Sequence, residues 1–304
     1  MRLTILGSAS AKPTIQRFNA AQVLDVNGRP FLIDCGEGTQ IRLKMADVHP
    51  MRIQHIFISH LHGDHMFGLV PLLSTLSLHN LLAPIHIYAH PDLEKLARPW
   101  LDYFCRDLTF PIHFHPVNPR ACQVIYQDKS LTVTSLPLKH TVPTCGFLFS
   151  SEDPYYHLIP HCVEDYRIPI AAMNVLKSGA DYVCADGRVI PFREVTTPPR
   201  PPKRYAYVSD TAYKPSLIES LQGVDLLYHE ATYNTALEDK ARQRGHSSAR
   251  QAALIARDAK VKRLVIGHFS SRISTADQQQ SLLDEAREVF PDTSLAHDLS
   301  VFEF

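Results

Sequence analysis

The sequence predicts an α/β fold, and three observations predict it. Short apolar runs of strand length, among them Ile56-Phe57-Ile58, Tyr205-Ala206-Tyr207-Val208 and Leu264-Val265-Ile266, alternate along the chain with longer helix-like stretches. Each of these three runs is followed within two residues by a metal-competent side chain: His60, Asp210 and His268. The 304 residues are 45% hydrophobic, ordinary for a globular protein with a full core, and allow one large domain or two.

In chain order, Met1 to Gly7 reads as a first strand, with neither the apolar region nor the small-residue cleavage site of a secretory signal. A small-residue loop, Gly7 to Pro13, follows. Val23-Leu24-Asp25-Val26 and Phe31-Leu32-Ile33-Asp34 flank Asn27-Gly28, a strong hairpin signal. Asp34 to Gln40 then leaves the sheet toward a short helix ending near Met45. Asp34 either partners a histidine of the metal turn or caps that helix; local sequence leaves both open.

The turn Ser59-His60-Leu61-His62-Gly63-Asp64-His65 packs three histidines and an aspartate into six residues. Imidazole and carboxylate suit a borderline divalent ion such as zinc, and the lack of nearby cysteine argues against a closed structural finger. His60 and His62, two apart on an extended segment, can share one ion, while Asp64 and His65 diverge toward a second. A surface turn with histidines satisfied by water or backbone is the bland alternative, and the density of donors argues against it.

An apolar helix-like stretch runs from Phe67 to Leu82. A strand from Ile85 to Tyr88 and a helix opened by Pro91 and running toward Phe104 come next. His113 and His115 alternate on a strand and read as partly exposed strand histidines. Leu131 to Leu138 is another strand, and His140 behind it repeats the placement of His60. Residues 150–203 change character, with little clean periodicity and a stiff, basic, proline-rich end from Thr196 to Arg204. They read as an inserted arm suited to contacting a large partner.

Beyond the arm, Tyr205-Ala206-Tyr207-Val208 leads to Asp210, Leu226-Leu227-Tyr228 to His229-Glu230-Ala231-Thr232, and Leu264-Val265-Ile266 to His268. In Gly245-His246-Ser247-Ser248 either serine can cap a helix running to Ala259. A helix from Asp277 to Phe290 and a strand from Leu299 to Phe304 close the chain.

Composition excludes some classes. The 31 basic and 31 acidic residues cancel, so global charge advertises no nucleic-acid partner, and no apolar run approaches a membrane span. Six scattered cysteines without a Cys-Xaa-Xaa-Cys pair point to reduced thiols in a cytoplasmic protein.

The turn His60-Leu61-His62-Gly63-Asp64-His65, joined by His140, Asp210 and His268, resembles the metallo-β-lactamase superfamily. With Asp34-Cys35-Gly36-Glu37-Gly38-Thr39-Gln40, His229-Glu230-Ala231-Thr232 and Gly245-His246-Ser247-Ser248, the chain is similar along essentially its whole length to the ribonuclease Z family, endonucleases that trim the 3′ end of tRNA precursors. The resemblance implies a four-layer αβ/βα sandwich with an inserted arm, the site lying on the upper rim of its sheets. It implies two zinc ions, with manganese or cobalt as substitutes: one held by His60, His62 and His140, the other by Asp64, His65 and His268, and Asp210 bridging both. It also implies Asp64 as proton acceptor, His246 as general acid held by Glu230, His229 as a supporting neighbour, a precursor-tRNA substrate and a homodimer in which one subunit's arm serves the other's site.

Two departures stand out. Phe18 separates Arg17 from Asn19 where the family's amino-terminal loop runs Pro, three residues, Arg-Asn. The arm carries Arg167-Ile168-Pro169-Ile170 where a Gly-Pro element is usual. Arg200, Lys203, Arg204, Arg242, Arg244 and Arg250 are candidate RNA contacts.

The chemistry fits the parts independently. Two divalent ions roughly 3.5–4 Å apart acidify a shared water and neutralise charge at phosphorus, and a carboxylate-held histidine protonates the departing oxygen. The runner-up is a superfamily phosphodiesterase with a small diester or another RNA as substrate. A metal-bound RNA scaffold without turnover, or a thioester-hydrolysing or oxygen-reducing relative, leaves His246 and Glu230 without a role.

Overall fold

The computed structural model describes residues 1–304. The first sheet takes in β1 (Arg2–Gly7), β2 (Ala21–Val26), β3 (Arg29–Ile33), β4 (His55–Phe57), β5 (Ile85–Ala89) and β6 (Ile112–Pro116), with the chain's last strand, β18 (Val301–Glu303), outside β1. Pairing is antiparallel from β18 to β3 and parallel from β3 to β6. The Asn27-Gly28 hairpin forms as expected: Val26 pairs with Arg29, and both loop residues take positive φ, 54° and 79°, which a two-residue hairpin of this hand requires.

Helices α1 (Thr39–Met45), α2 (Gly63–Met66), α3 (Leu69–Leu78) and α4 (Asp92–Phe104) follow the strands of this sheet. Leu43 of α1, Leu72 and Leu76 of α3, and Leu93, Ala97 and Leu101 of α4 form one apolar cluster with Leu32, Ile56 and Ile87 of the strands. The helix expected from Phe67 to Leu82 is shorter at both ends. Gly68 presses against backbone, so that a Cβ there would lie 2.0 Å from the Gly36 carbonyl oxygen, and Asn80 at φ 56° turns the chain toward β5.

The second sheet contains β7 (Gln123–Gln127), β8 (Leu131–Pro137), β9 (Cys145–Ser151), β14 (Arg204–Val208), β15 (Leu226–Glu230), β16 (Arg263–Gly267) and β17 (Thr293–Leu295), in the order β17-β16-β15-β14-β9-β8-β7. Strands β14 to β17 run parallel, so the segments after β14, β15 and β16 emerge on one rim. After α8 (Glu238–Arg244), the helices α9 (Ala249–Asp258) and α10 (Ala276–Arg287) bury Ala252, Ala256, Leu282 and Ala286 against Leu227, Leu264 and Ile266.

Between the sheets lies an aromatic layer. Phe57 stacks on Tyr88 at 4.6 Å and meets Phe147 and Phe149 of the opposite sheet edge-on at 5.5 and 5.3 Å. Helices cover each outer face, giving the four-layer αβ/βα sandwich expected. The final strand is shorter than Leu299 to Phe304, because Leu299 at φ 68° cannot continue an extended run. No helix is long and apolar enough to cross a membrane, and all six cysteines are free thiols.

Residues Gln127–Thr132 and Ser150–Lys203 make up a second compact unit. Its elements are β10 (His157–Leu158), α5 (Pro160–Asp165), α6 (Ile170–Lys177), β11 (Tyr182–Val183), β12 (Val189–Ile190), α7 (Phe192–Val195) and β13 (Thr196–Thr197). Most are two to six residues long, too short to write a period into the sequence. Cys162, Ile168, Ala172, Leu176, Ile190 and Val195 nevertheless form a core of the unit's own.

Of the two serines before α9, Ser248 is the cap. Its hydroxyl accepts from the Gln251 N–H at 3.1 Å, and the Gln251 side chain accepts in return from the Ser248 N–H, whereas Ser247 donates to the Thr211 carbonyl at 2.7 Å. Ser248→Ala is expected to cost about 1 kcal/mol, read as a lower urea midpoint with an unchanged slope.

Candidate metal centre

The ligand turn begins where β4 stops pairing. Ile58 donates to the Tyr88 carbonyl at 2.9 Å, the last such bond of that run, and the His65 N–H closes the turn on the His62 carbonyl at 3.0 Å. His60 and His65 are fully buried. His140, behind β8, comes in beside them: its Nε2 lies 3.2 Å from His62 Nδ1, which is 3.1 Å from His60 Nε2. Asp210, behind β14, places Oδ2 3.8 Å from His60 Nε2 and 3.6 Å from His140 Nε2.

A second group adjoins the first. His268, behind β16, sets its Nε2 3.3 Å from His65 Nε2 and 3.5 Å from Asp64 Oδ2, and Asp64 Oδ2 is 3.5 Å from His65 Nε2. Asp210 Oδ1 is 3.5 Å from His65 Nε2 and 3.2 Å from His268 Nε2. One carboxylate therefore presents one oxygen to each group. All seven residues singled out in the sequence as metal-competent converge.

The outward-facing ring nitrogens determine what the inner ones can do. His140 Nδ1 donates to the Gly245 carbonyl at 2.7 Å, and His65 Nδ1 donates to Asp34 Oδ2 at 2.7 Å. Thr232 Oγ1 gives its own proton to an oxygen acceptor, with Glu230 Oε2 at 2.7 Å, and so receives one from His268 Nδ1 at 3.0 Å. With one proton committed outward, each of these rings in its neutral form turns a lone pair inward toward the others, and Asp210 Oδ1 is buried with no hydrogen-bond partner. Such a cluster of acceptors fits a divalent cation.

The electrostatics agree. Burial, reinforced by the surrounding imidazoles, holds the His60 pKa well below its ordinary value, so this ring is a neutral donor. Burial also opposes protonation of His65, yet Asp34, Asp210 and Asp64 outweigh it and lift that pKa to about 10: with no cation in place these carboxylates draw a second proton onto the ring at Nε2, the position a bound cation would take instead.

Asp34 resolves in favour of the histidine. Its carboxylate accepts from the Ser59 N–H at 2.7 Å, the Ser59 hydroxyl at 2.9 Å, His65 Nδ1 and the Tyr207 hydroxyl at 2.6 Å. Helix α1 is preceded by Gly38 in left-handed conformation and has no side-chain cap.

His246 stands 2.8 Å from Glu230 Oε1 through Nδ1, and that nitrogen is 4.0 Å from Asp210 Oδ2. Burial works against a charge on His246, but Glu230 dominates and raises its pKa to about 9. Burial likewise opposes ionisation of Glu230, and His246 brings it down to about 2. Glu230 also accepts from the Thr211 and Thr232 N–H groups at 2.9 and 3.0 Å, which aim it. His229 points away from this group: its Nδ1 bonds the Glu230 carbonyl at 2.7 Å and its Nε2 is buried without a partner.

Sequence reasoning missed Tyr207, Ser59 and Thr232 as orienting groups. Tyr207 lies mid-strand with no local signal, and Thr232 was visible only as part of the His229 to Thr232 stretch. Two of the candidate RNA contacts are otherwise engaged. Arg204 donates to the Gln222 and Ser220 carbonyls at 2.6 and 3.0 Å, and Arg242 pairs with Asp239 at 2.8 Å. Arg244 and Arg250 are exposed. His115 is half-buried, 2.9 Å from His86, and His113 is exposed, both away from the metal groups. In the amino-terminal loop, Phe18 lies under the Arg42 guanidinium at 4.6 Å, and Arg17 donates to the Ile273 carbonyl at 2.9 Å.

A sandwich of this architecture, with histidine and aspartate donors gathered from its strand ends, defines a metallo-β-lactamase-fold hydrolase. The metallo-β-lactamase fold protein YhfI from Bacillus subtilis aligns over 100% of this chain and 99% of its own with TM-score 0.69 at 18% identity. Human tRNase Z, short form, aligns over 100% and 99% with TM-score 0.71 at 27% identity. Residues 1–152 match the family model described as anti-Pycsar protein Apyc1. The ribonuclease Z of Phocaeicola vulgatus is 45% identical over 294 residues, 97% of this chain and 94% of that protein. The chain belongs to the ribonuclease Z family.

Asp34→Asn keeps a residue type that tolerates the φ of 55° found there but turns an acceptor of four hydrogen bonds into a mixed group. Zinc affinity in a competition titration is expected to fall about 10–100-fold while the far-ultraviolet spectrum is retained.

Proposed function

We propose that this chain is a metal-dependent endoribonuclease that removes the 3′ trailer from tRNA precursors, leaving a 3′-hydroxyl on the tRNA and a 5′-phosphate on the trailer. The observation that carries this reading is the His246–Glu230 pair at 2.8 Å beside the donor cluster. A metal site alone serves many hydrolyses, but a charged, carboxylate-held imidazole next to it serves one that must protonate a poor leaving group.

The metals proposed are two zinc ions, with His60, His62 and His140 holding one, Asp64, His65 and His268 the other, and Asp210 both. When bound, such ions supply Lewis acidity, lowering the pKa of water toward about 7 and neutralising charge on the phosphate. Asp64 accepts the proton of the attacking water. As the bond between phosphorus and the 3′ oxygen breaks, His246 Nε2 delivers its proton to that oxygen, and Glu230, bonded to Nδ1, fixes the ring's direction and stabilises its charge.

Residues 150–203 are proposed to grip the tRNA body. The assembly proposed is a cytoplasmic homodimer, supported by apolar residues left exposed on and near α4: Phe67 at 67%, Trp100 at 61% and Phe104 at 66%. The second reading, a phosphodiesterase of other specificity, draws on the family-model match. Residues 1–152 contain His60, His62, Asp64, His65 and His140, but stop short of Asp210, Glu230, His246 and His268. That match covers shared metal donors and not the acid.

Purified protein incubated with a 3′-extended tRNA precursor is expected to cut once, at the trailer junction. Cleavage of small diesters alone would favour the second reading. A chelator should abolish turnover, and zinc, manganese or cobalt should restore it. His246→Ala is expected to lower single-turnover cleavage by about 10²–10⁴-fold while precursor binding in a filter assay is kept.

A further inference from the structure

Around the second sheet several cations are already engaged. Arg242 pairs with Asp239 at 2.8 Å, Lys214 donates to the Pro137 carbonyl at 2.6 Å, and Arg257 pairs with Asp258 at 2.8 Å. Lys139 and Arg244 are not engaged. Both are exposed, and neither side chain meets a carboxylate or any other acceptor of the protein.

The two are brought together by backbone contacts. Gly245, at φ 72°, crosses directly over a metal-competent histidine: its carbonyl accepts from His140 Nδ1 at 2.7 Å, and a Cβ on it would lie 2.8 Å from that nitrogen and 3.1 Å from the His140 Cα. Lys139 precedes His140 and Arg244 precedes Gly245, so each cation starts one Cα–Cα step, about 3.8 Å, from the crossing. The Lys139 backbone is also pinned beside Asp210, its N–H donating to Thr211 Oγ1 at 3.0 Å and its carbonyl accepting from the Ala212 N–H at 2.8 Å. Both side chains therefore leave fixed points beside His140, with only their charged ends free.

Those points stand at the mouth of the centre. The side chains of His60, His65, His140, Asp210 and His268 are at most 4% exposed, whereas Asp64 and His246 are 10% and 15% exposed and His62 is half-buried. His62, Asp64 and His246 thus bound the opening. His140 sits between two of them, its Nε2 3.2 Å from His62 Nδ1 and its ring 5.0 Å from that of His246.

We propose that Lys139 and Arg244 together grip one phosphate of the substrate strand: the one on the 5′ side of the last tRNA nucleotide, next to the phosphate that is cut. The proposal rests on the tRNA-processing reading above. There the cut phosphate lies at the metals with its 3′ oxygen toward His246, so the nucleotide owning that oxygen leaves on the His246 side, and its own 5′ phosphate is the next charge along. Arg244 offers a planar fork of N–H donors to two phosphate oxygens, and Lys139 a compact charge to the third. Such a contact reads the backbone and no base, so it serves every tRNA alike.

The test compares three precursors, each with 2′-deoxy sugars flanking the linkages concerned. One carries ordinary phosphates, one a methylphosphonate at the proposed position, which keeps the linkage and removes its charge, and one a methylphosphonate at the first linkage inside the trailer. The readout is the ratio of kcat/KM between substrates within each protein, which partial loss of fold or metal leaves unchanged. Wild type is expected to cut the charged precursor about tenfold or more faster than the one neutralised at the proposed position, the lower end for a hydrogen bond to a charged group. Lys139→Ala combined with Arg244→Ala should bring that ratio toward one, while Arg257→Ala, at the far end of α9, keeps it. A wild type indifferent to the proposed position or sensitive only to the trailer linkage, a full ratio in the double variant, or the same loss in Arg257→Ala would each overturn the proposal. A wild type that cuts none of the three would instead overturn the reading on which it rests.

Discussion

The structure depends on a buried anion that joins its two sheets. The Asp34 carboxylate, at the end of β3, takes hydrogen bonds from Ser59 and His65 on its own side and from Tyr207 on the opposite strand β14. A carboxylate removed from water is costly unless its lone pairs are filled, and here four donors fill them. The arrangement has a chemical by-product. By fixing a proton of His65 at Nδ1, Asp34 turns Nε2 toward Asp64, Asp210 and His268 as the nitrogen a cation would engage, so the contact that secures the sheets also prepares a ligand.

Backbone conformation supports the same centre. Asp34 at φ 55° and His268 at φ 59° both occupy the left-handed region, which non-glycine residues enter at a cost. In each case the surroundings hold the residue there: Asp34 by its four donors, His268 by the Thr232 hydroxyl, which accepts from its ring Nδ1 at 3.0 Å. Close backbone contact adds to this. A Cβ on Gly36 would fall 2.5 Å from the Asp64 carbonyl oxygen, so the segment after β3 and the ligand turn fit together only because that side chain is missing.

The sequence revealed the site more fully than the fold around it. Metal ligands are few in kind, and a strand followed at once by histidine or aspartate marks a rim, so His60, His140, Asp210 and His268 could be gathered before their distances were known. The Asn27-Gly28 hairpin was legible for a similar reason, since few residue pairs accept two positive φ angles in succession. Long-range orientation was not legible. Nothing around Tyr207 distinguishes a hydroxyl that reaches Asp34 from one that merely lines a core, and Arg204, in a basic proline-rich stretch, gave no sign that the Gln222 and Ser220 carbonyls would claim it. Residues 150–203 hid their order because two- to eight-residue elements leave no period to read.

The apolar residues of this second unit pack on one another: Cys162, Ala172, Leu176 and Val195 find partners among Ile168 and Ile190 rather than in the aromatic layer between the large sheets. A module that satisfies its own hydrophobic residues can accumulate surface change under selection separate from that acting on the rim histidines. Over evolutionary time, which molecules such a protein recruits can therefore drift while the means of breaking a bond stays fixed.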